Sequence, residues 1–314
     1  MTKPFAMRDA LLTNILNAMH SNSELYFVTA DFGSPVLDLI RREYPERFTN
    51  VGVAEQNLIN VSAGLSLEGF TVFAYAIAPF ITMRCFEQLR VNLSLMSEVR
   101  PLNVNLVGVG AGYSYVVSGP THQCYEDIGI MRNLPNFRIY SASDDLVAGA
   151  LVNLCIKENG PKYLRLDAQV LPQLRKQISD SALEDGFEVL RKGQTGAIIS
   201  TGFMSHVALK VAKKFNLSVI DFFDLTGADT KKLLQYCDQF RVIFSLEEGF
   251  IGRGGIDAIF SNLLRNHGTT QVFVPIGVDP SYRFDLGTRE ELHELAGIGI
   301  KAVSRRIESA LSNV

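Results

Sequence analysis

Short apolar runs separated by amphipathic stretches recur down most of this chain and limit its fold more than any other feature. Residues 25–30, 70–77, 102–109, 137–141 and 163–166 have the length and β-branched or aromatic content of strands buried on both faces. Between them, residues 9–19, 86–95 and 146–156 space their apolar side chains at helical intervals. Such alternation implies βαβ units and a parallel sheet with helices on both faces. The pattern lapses over residues 171–194, a polar and charged stretch that reads as a connection across a domain surface. A second series follows: residues 196–200, a helix over 204–215, then 217–223, 242–246, a helix opening near Gly254, and 272–276. The expectation is an α/β chain of two domains. A parallel-sheet domain of six-strand class would occupy residues 1–180, and a smaller α/β domain of four or five strands residues 181–314.

With 314 residues, each half is long enough to bury a core of its own, and 47% hydrophobic against 20% charged residues excludes disorder. Thirty Lys and Arg against 33 Asp and Glu leave a net charge of −3 with no basic stripe, so nucleic acid is not expected as a partner. Residues 1–7 hold one Lys and no apolar run, and nowhere do 18 apolar residues stand uninterrupted. Neither a signal peptide nor a membrane span is expected, and a cytoplasmic location follows. Cys85, Cys124, Cys155 and Cys237 are far apart, form no C-x-x-C and do not cluster with the five histidines. They read as buried thiols, not a zinc or redox site.

In open parallel sheets, functional side chains gather on loops leaving the carboxyl ends of strands. Four such segments stand out. Residues 29–34 (TADFGS) put Asp31 at a strand end. Residues 50–57 (NVGVAEQN) put Glu55 at the threshold of an apolar helix, where a helix-terminal acid favoured by the macrodipole is the plain alternative to catalysis. Residues 76–88 place Phe80 at a strand-to-helix junction with Arg84 four positions on, a setting in which an aromatic commonly belongs to the core. Residues 108–123 (GVGAGYSYVVSGPTHQ) are glycine-rich but lack the lysine and immediate helix of a phosphate loop, and His122 beyond the Gly-Pro turn is equally readable as a satisfied loop histidine.

In order and spacing, VGVAEQN (51–57), GPTHQ (119–123) and NLPN (133–136) together resemble the pyrimidine-binding domain of the transketolase family of thiamine-diphosphate enzymes. FSLEEG (244–249) and GRGG (252–255) are similar to that family's C-terminal domain. The resemblance covers nearly the whole chain. What it lacks is the family's diphosphate-binding domain, whose Gly-Asp-Gly and downstream Asn hold a divalent metal; no Gly-Asp-Gly occurs here. The chain therefore resembles the small, C-terminal subunit of a split transketolase. That resemblance implies a diphosphate-binding N-terminal partner subunit, a heterotetramer, sugar substrates, thiamine diphosphate, and Mg2+ on the partner's ligands.

The resemblance also implies roles. Glu55 matches the glutamate that hydrogen-bonds the cofactor's pyrimidine nitrogen, set among apolar walls where burial would raise its pKa. Phe80 would be the aromatic surface under the pyrimidine, with Ile77 where the family often has a second aromatic. Asp31 resembles the family's acidic strand-end residue near the cofactor, and His122 the histidine that reaches the substrate oxygen where charge develops. Two departures bear on substrate. Ser118 replaces the aspartate that reads a sugar hydroxyl, and residues 110–112 (GAG) replace a loop histidine. The arginine expected to clamp a sugar phosphate falls near Asp167 or Ala168, with Arg165 close by. The implied function is transfer of a two-carbon ketol unit with altered sugar specificity. The alternatives are a 1-deoxyxylulose-5-phosphate synthase-like or 2-oxo acid dehydrogenase beta-like subunit acting on a 2-oxo acid, and a catalytically silent assembly subunit.

Overall fold

The computed structural model describes residues 5–268 and 270–313. Residues 1–4 of the amino-terminal stretch considered for a leader lie outside it. The first sheet has six strands in the order β2-β1-β3-β4-β6-β5, all parallel: β1 (Leu25–Thr29), β2 (Phe48–Asn50), β3 (Thr71–Ile77), β4 (Val104–Val109), β5 (Arg138–Ser141) and β6 (Lys162–Leu166). The near-continuous apolar runs are explained by burial on both faces, and all six residues of β4 are buried. On one face Phe27, Phe73, Tyr75 and Val107 pack under α1 (Met7–Met19), α2 (Pro35–Glu43) and α6 (Asp145–Lys157). On the other, Val28, Ala74 and Leu106 meet α3 (Glu55–Leu67) and the helical segment after β3.

That segment is helical as expected but not an ordinary α-helix. Wide π turns over Phe80–Arg84 and Leu89–Leu95 flank one α turn, α4 (Phe86–Gln88). Side chains serve carbonyls there: the Thr82 hydroxyl donates to Ala78 O at 2.7 Å and the Cys85 thiol to Ile81 O at 2.8 Å. Asn136 of the NLPN stretch secures the far end, accepting from Ser94 Oγ and donating to Ser94 O, both at 2.8 Å.

The second sheet runs β11-β10-β8-β9-β7, from β7 (Phe187–Arg191), β8 (Ala197–Ser200), β9 (Ser218–Phe222), β10 (Val242–Phe250) and β11 (Val272–Val278). Four strands are parallel; β7 pairs antiparallel with β9 at the edge. The stretch expected to be a bare connection thus contains a short helix, α7 (Asp180–Asp185), and a strand whose residues are mostly only half-buried. The sequence reading also passed over β2 and α2, and over α5 (Asp127–Met131), α9 (Thr230–Cys237), α11 (Arg289–Leu295) and α12 (Ile300–Leu311). It did anticipate α8 (Met204–Phe215) and α10 (Ile256–His267). All four cysteines are free and buried.

The two sheets are joined by one apolar core, in which Ile139 and Tyr163 share a cluster with Ile220, Phe222 and Phe260. Buried arginines cross the same boundary. Arg175 bonds Asp144 at 3.0 Å and Glu188 at 2.6 Å and also pairs with Asp221; Arg289 pairs with Asp167 and Glu248, each at 2.6 Å. Burial opposes the Arg175 charge, yet Asp221 and Asp144 hold its pKa above the ordinary value. Glu248 is likewise pushed up by burial but held well below the carboxylate range by Arg289 and His293.

Candidate active site

Because β2, β1, β3 and β4 are neighbours in that order, the loops leaving their carboxyl ends converge at one end of the first sheet. Glu55 opens α3 with its side chain only 6% exposed, at the base of a cavity of about 540 Å³ lined by residues 53–57, Asn60 and Arg84. Attraction to a helix N-terminus is satisfied equally by an exposed acid. It does not account for burying this one, which needs a partner.

The partner is Arg84, so the carboxylate does not face apolar walls alone as the resemblance implied. Arg84 Nη1 donates to Glu55 Oε1 at 3.0 Å and Oε2 at 3.2 Å. The same guanidinium lies 3.8 Å from the Phe80 ring centroid. Phe80 meets His122 edge-on at 5.2 Å, and His122 meets Tyr115 at 6.3 Å. Glu55, Arg84, Phe80, His122 and Tyr115 therefore form one contiguous set drawn from separate loops.

His122 follows the turn Gly119–Thr121, where Gly119 adopts φ +67°, a left-handed conformation suited to glycine. Its Nδ1 lies 2.9 Å from Thr121 Oγ1, which fixes the ring's orientation. Ser118 is exposed just before this turn. Asp31 is exposed too, and it is one of two non-glycine residues with positive φ (+55°) among those described. Asn50 holds it there, accepting the Asp31 N–H and donating to Asp31 Oδ1, both at 3.0 Å. The same Asn50 oxygen accepts the Gly52 N–H at 2.9 Å, tying Asp31 to the loop that leads into Glu55. Ile77 ends β3 half-buried, three positions before Phe80.

Other motif residues prove to be structural. Arg165 bonds Asp127 at 2.7 Å with 2% of its side chain exposed, so it cannot serve as a phosphate clamp. A Cβ at Gly110 would lie 2.2 Å from the Tyr115 ring and one at Gly112 2.3 Å from Glu248 Oε2, so these glycines answer to close packing. The FSLEEG and GRGG stretches fit together in the same way. Glu247 accepts the Asp257 N–H at 3.0 Å at the start of α10, and side chains at Gly249 or Gly255 would strike its carboxyl. Burial pushes Glu247 up to about 7.

Sequence reasoning named Arg84 without a role and missed Tyr115 and Asn50. The available signal for Arg84 was its spacing from Phe80, which places both on one helical face. A larger cavity, about 800 Å³, lies between α8, α11 and α12, and none of the residues proposed from sequence lines it. Among the described residues no group of three or more His, Cys, Asp or Glu is arranged to hold a metal ion, and no helix is long and apolar enough to cross a membrane.

Residues 3–173, more than half of the chain, match the family model of the transketolase pyrimidine-binding domain. The chain belongs to the transketolase family. Family membership brings dependence on thiamine diphosphate. One of the separate subunits of the apulose-4-phosphate transketolase of Actinobacillus succinogenes is 28% identical, the match covering 98% of this chain and 97% of that one. A solved structure described as a split gene transketolase, inactive beta4 tetramer, superposes with a TM-score of 0.84 at 26% identity over 99% of both chains. The 1-deoxy-D-xylulose-5-phosphate synthase of Vibrio parahaemolyticus is 27% identical over 86% of this chain but only 42% of its own length. In extent this transketolase-family chain thus corresponds to a separate subunit of a split enzyme and to less than half of a one-chain relative.

Proposed function

We propose that this chain is the small subunit of a thiamine-diphosphate-dependent, transketolase-like transferase that moves a two-carbon ketol unit between sugars. The observation that carries the proposal is the buried Glu55 carboxylate at the base of an open cavity, linked through Arg84 to Phe80 and then to His122. An aminopyrimidine fits that chemistry: a carboxylate for its ring nitrogen and an aromatic face for its ring. When bound, the cofactor supplies a carbon nucleophile. Glu55 would then share a proton with the pyrimidine nitrogen, Phe80 would support the ring, Asp31 and Ile77 would border it, and His122 would donate to the substrate oxygen where charge develops.

The boundary near residue 180, a magnesium ion on a partner's oxygen ligands, a diphosphate-binding partner subunit in a heterotetramer, a role in carbohydrate metabolism and a cytoplasmic location belong to the same proposal. Val53 on the cavity wall is 72% exposed, an apolar contact suited to cover by that partner. The isolated chain, lacking the Gly-Asp-Gly metal motif, should bind thiamine diphosphate with magnesium weakly or not at all. Calorimetric titration checks this, and tight binding by the chain alone would overturn the split-subunit proposal. In the complex with the diphosphate-binding chain, ketol transfer should appear. Pyruvate-dependent release of carbon dioxide in its place would favour the 2-oxo acid chemistry of the synthase-like alternative.

Ser118 bears on specificity. An aspartate at that position would read a donor hydroxyl by a charge-assisted hydrogen bond worth about 1.5–3 kcal/mol, roughly 10- to 150-fold in discrimination. A neutral, shorter serine imposes no such demand, and the relative from Actinobacillus is named for apulose 4-phosphate. Ser118→Asp should therefore raise kcat/KM for xylulose 5-phosphate relative to the sugar the wild-type complex uses best. No change in that ratio across a sugar panel would show that Ser118 does not read the donor.

A further inference from the structure

We propose that Arg84 occupies the seat of the aminopyrimidine in the free subunit and is the residue the cofactor must displace on binding. The proposal rests on Glu55 being the partner of the pyrimidine nitrogen. The two surfaces that ring would use, the Glu55 carboxylate and the face of Phe80, are both taken by one planar guanidinium, at 3.0 Å and 3.8 Å. A flat cation lying over an aromatic ring and donating to a carboxylate offers the same kind of contacts as a protonated aminopyrimidine.

Exposure separates this arginine from the structural ones. Arg165, Arg175 and Arg289 keep 2%, 4% and 5% of their side chains exposed, whereas Arg84 keeps 48%. Breaking any of the first three strands a carboxylate in the core. Arg84 stands at the cavity rim and can swing into water. Its backbone is held independently, since Gln56 Nε2 donates to the Arg84 carbonyl at 3.2 Å, so the side chain can turn while the widened Phe80–Arg84 turn stays in place. While Arg84 is seated, Glu55 has a counter-charge and is not a stranded acid; once it leaves, the cofactor must supply the replacement. The apparent affinity for the pyrimidine is then reduced by the fraction of molecules in which Arg84 is already out.

The test uses the full-length chain alone and the pyrimidine half of the cofactor, 4-amino-5-hydroxymethyl-2-methylpyrimidine, titrated by NMR up to millimolar concentration. An ion pair open to water on its arginine side and a cation–π contact together set the scale, so Arg84→Ala should bind about 5- to 30-fold more tightly than wild type. Glu55→Gln should weaken binding in either background. Weaker or unchanged binding by Arg84→Ala, with Glu55→Gln still weakening it, would overturn the proposal and make Arg84 a fixed support of Glu55. No response from Arg84→Ala up to that concentration would also overturn the displacement, because vacating the seat then gains the ring nothing, while the assignment of Glu55 is tested apart from it by turnover of the Glu55→Gln complex. A crystal structure of the liganded chain gives a second measure: Arg84 off the Phe80 ring is expected, and Arg84 still seated there refutes the displacement.

Discussion

Glu55→Gln is expected to lower ketol-transfer turnover of the reconstituted complex by about 100-fold or more, the loss typical of a removed acid-base group, while leaving assembly with the partner intact. Glutamine keeps the shape and a hydrogen-bonding oxygen toward Arg84 but cannot share a proton with a ring nitrogen. The comparison that matters is between turnover, measured at saturating cofactor, and subunit association, measured by sedimentation. Near-normal turnover would reduce Glu55 to a helix-terminal acid with an arginine partner. Loss of both would mean that the pair is structural.

A second large effect is expected from Arg175→Met, in stability and not in chemistry. Methionine keeps the apolar stem, but Asp144 and Asp221, both without exposed surface, lose their guanidinium, and Glu188 loses its own bond. Removing one partner of a buried ion cluster costs about 3–5 kcal/mol, far more than a surface pair, because the remaining charges stay in the core. Chemical denaturation of the chain alone should show that loss as a lower midpoint. Arg175→Lys should recover part of it, since one ammonium cannot fork between carboxylates. A change under 1 kcal/mol would show that water or a shifted backbone reaches the cluster.

The alternation of strand and helix was legible in the sequence because parallel strands buried on both faces are almost uniformly apolar. The five expected runs of the first domain reappear as β1, β3, β4, β5 and β6 within two residues at either end. Elements that bury little left no such trace: β2 is three residues of Phe, Thr and Asn, and β7 is an edge strand of five residues, two of them the charged Glu188 and Arg191. For the site, motif resemblance put Glu55, Phe80 and His122 forward, and these three fall into the contiguous set. It put Ser118, Ile77 and Asp31 forward on the same basis, and the structure finds them on the bordering loops and strand ends. What spacing could not disclose was pairing. Arg84 and Arg165 look alike as text, yet one faces a cavity and the other is sealed against Asp127, a difference made only when distant strands come together.

The close approach of Gly112 to Glu248 carries one more consequence. Glu248 belongs to the second sheet, yet its carboxyl fills the space where Gly112 has no side chain and accepts the Tyr113 N–H at 3.4 Å, while Tyr113 packs on Tyr125 and His293. The loop that carries Ser118 and His122 is thus splinted from behind by residues far along the chain. The carboxyl-terminal half contributes none of the side chains assigned to the cofactor, but it removes freedom from the loop that presents them. A fragment ending at residue 173 would keep every such group and lose the wall that aims two of them.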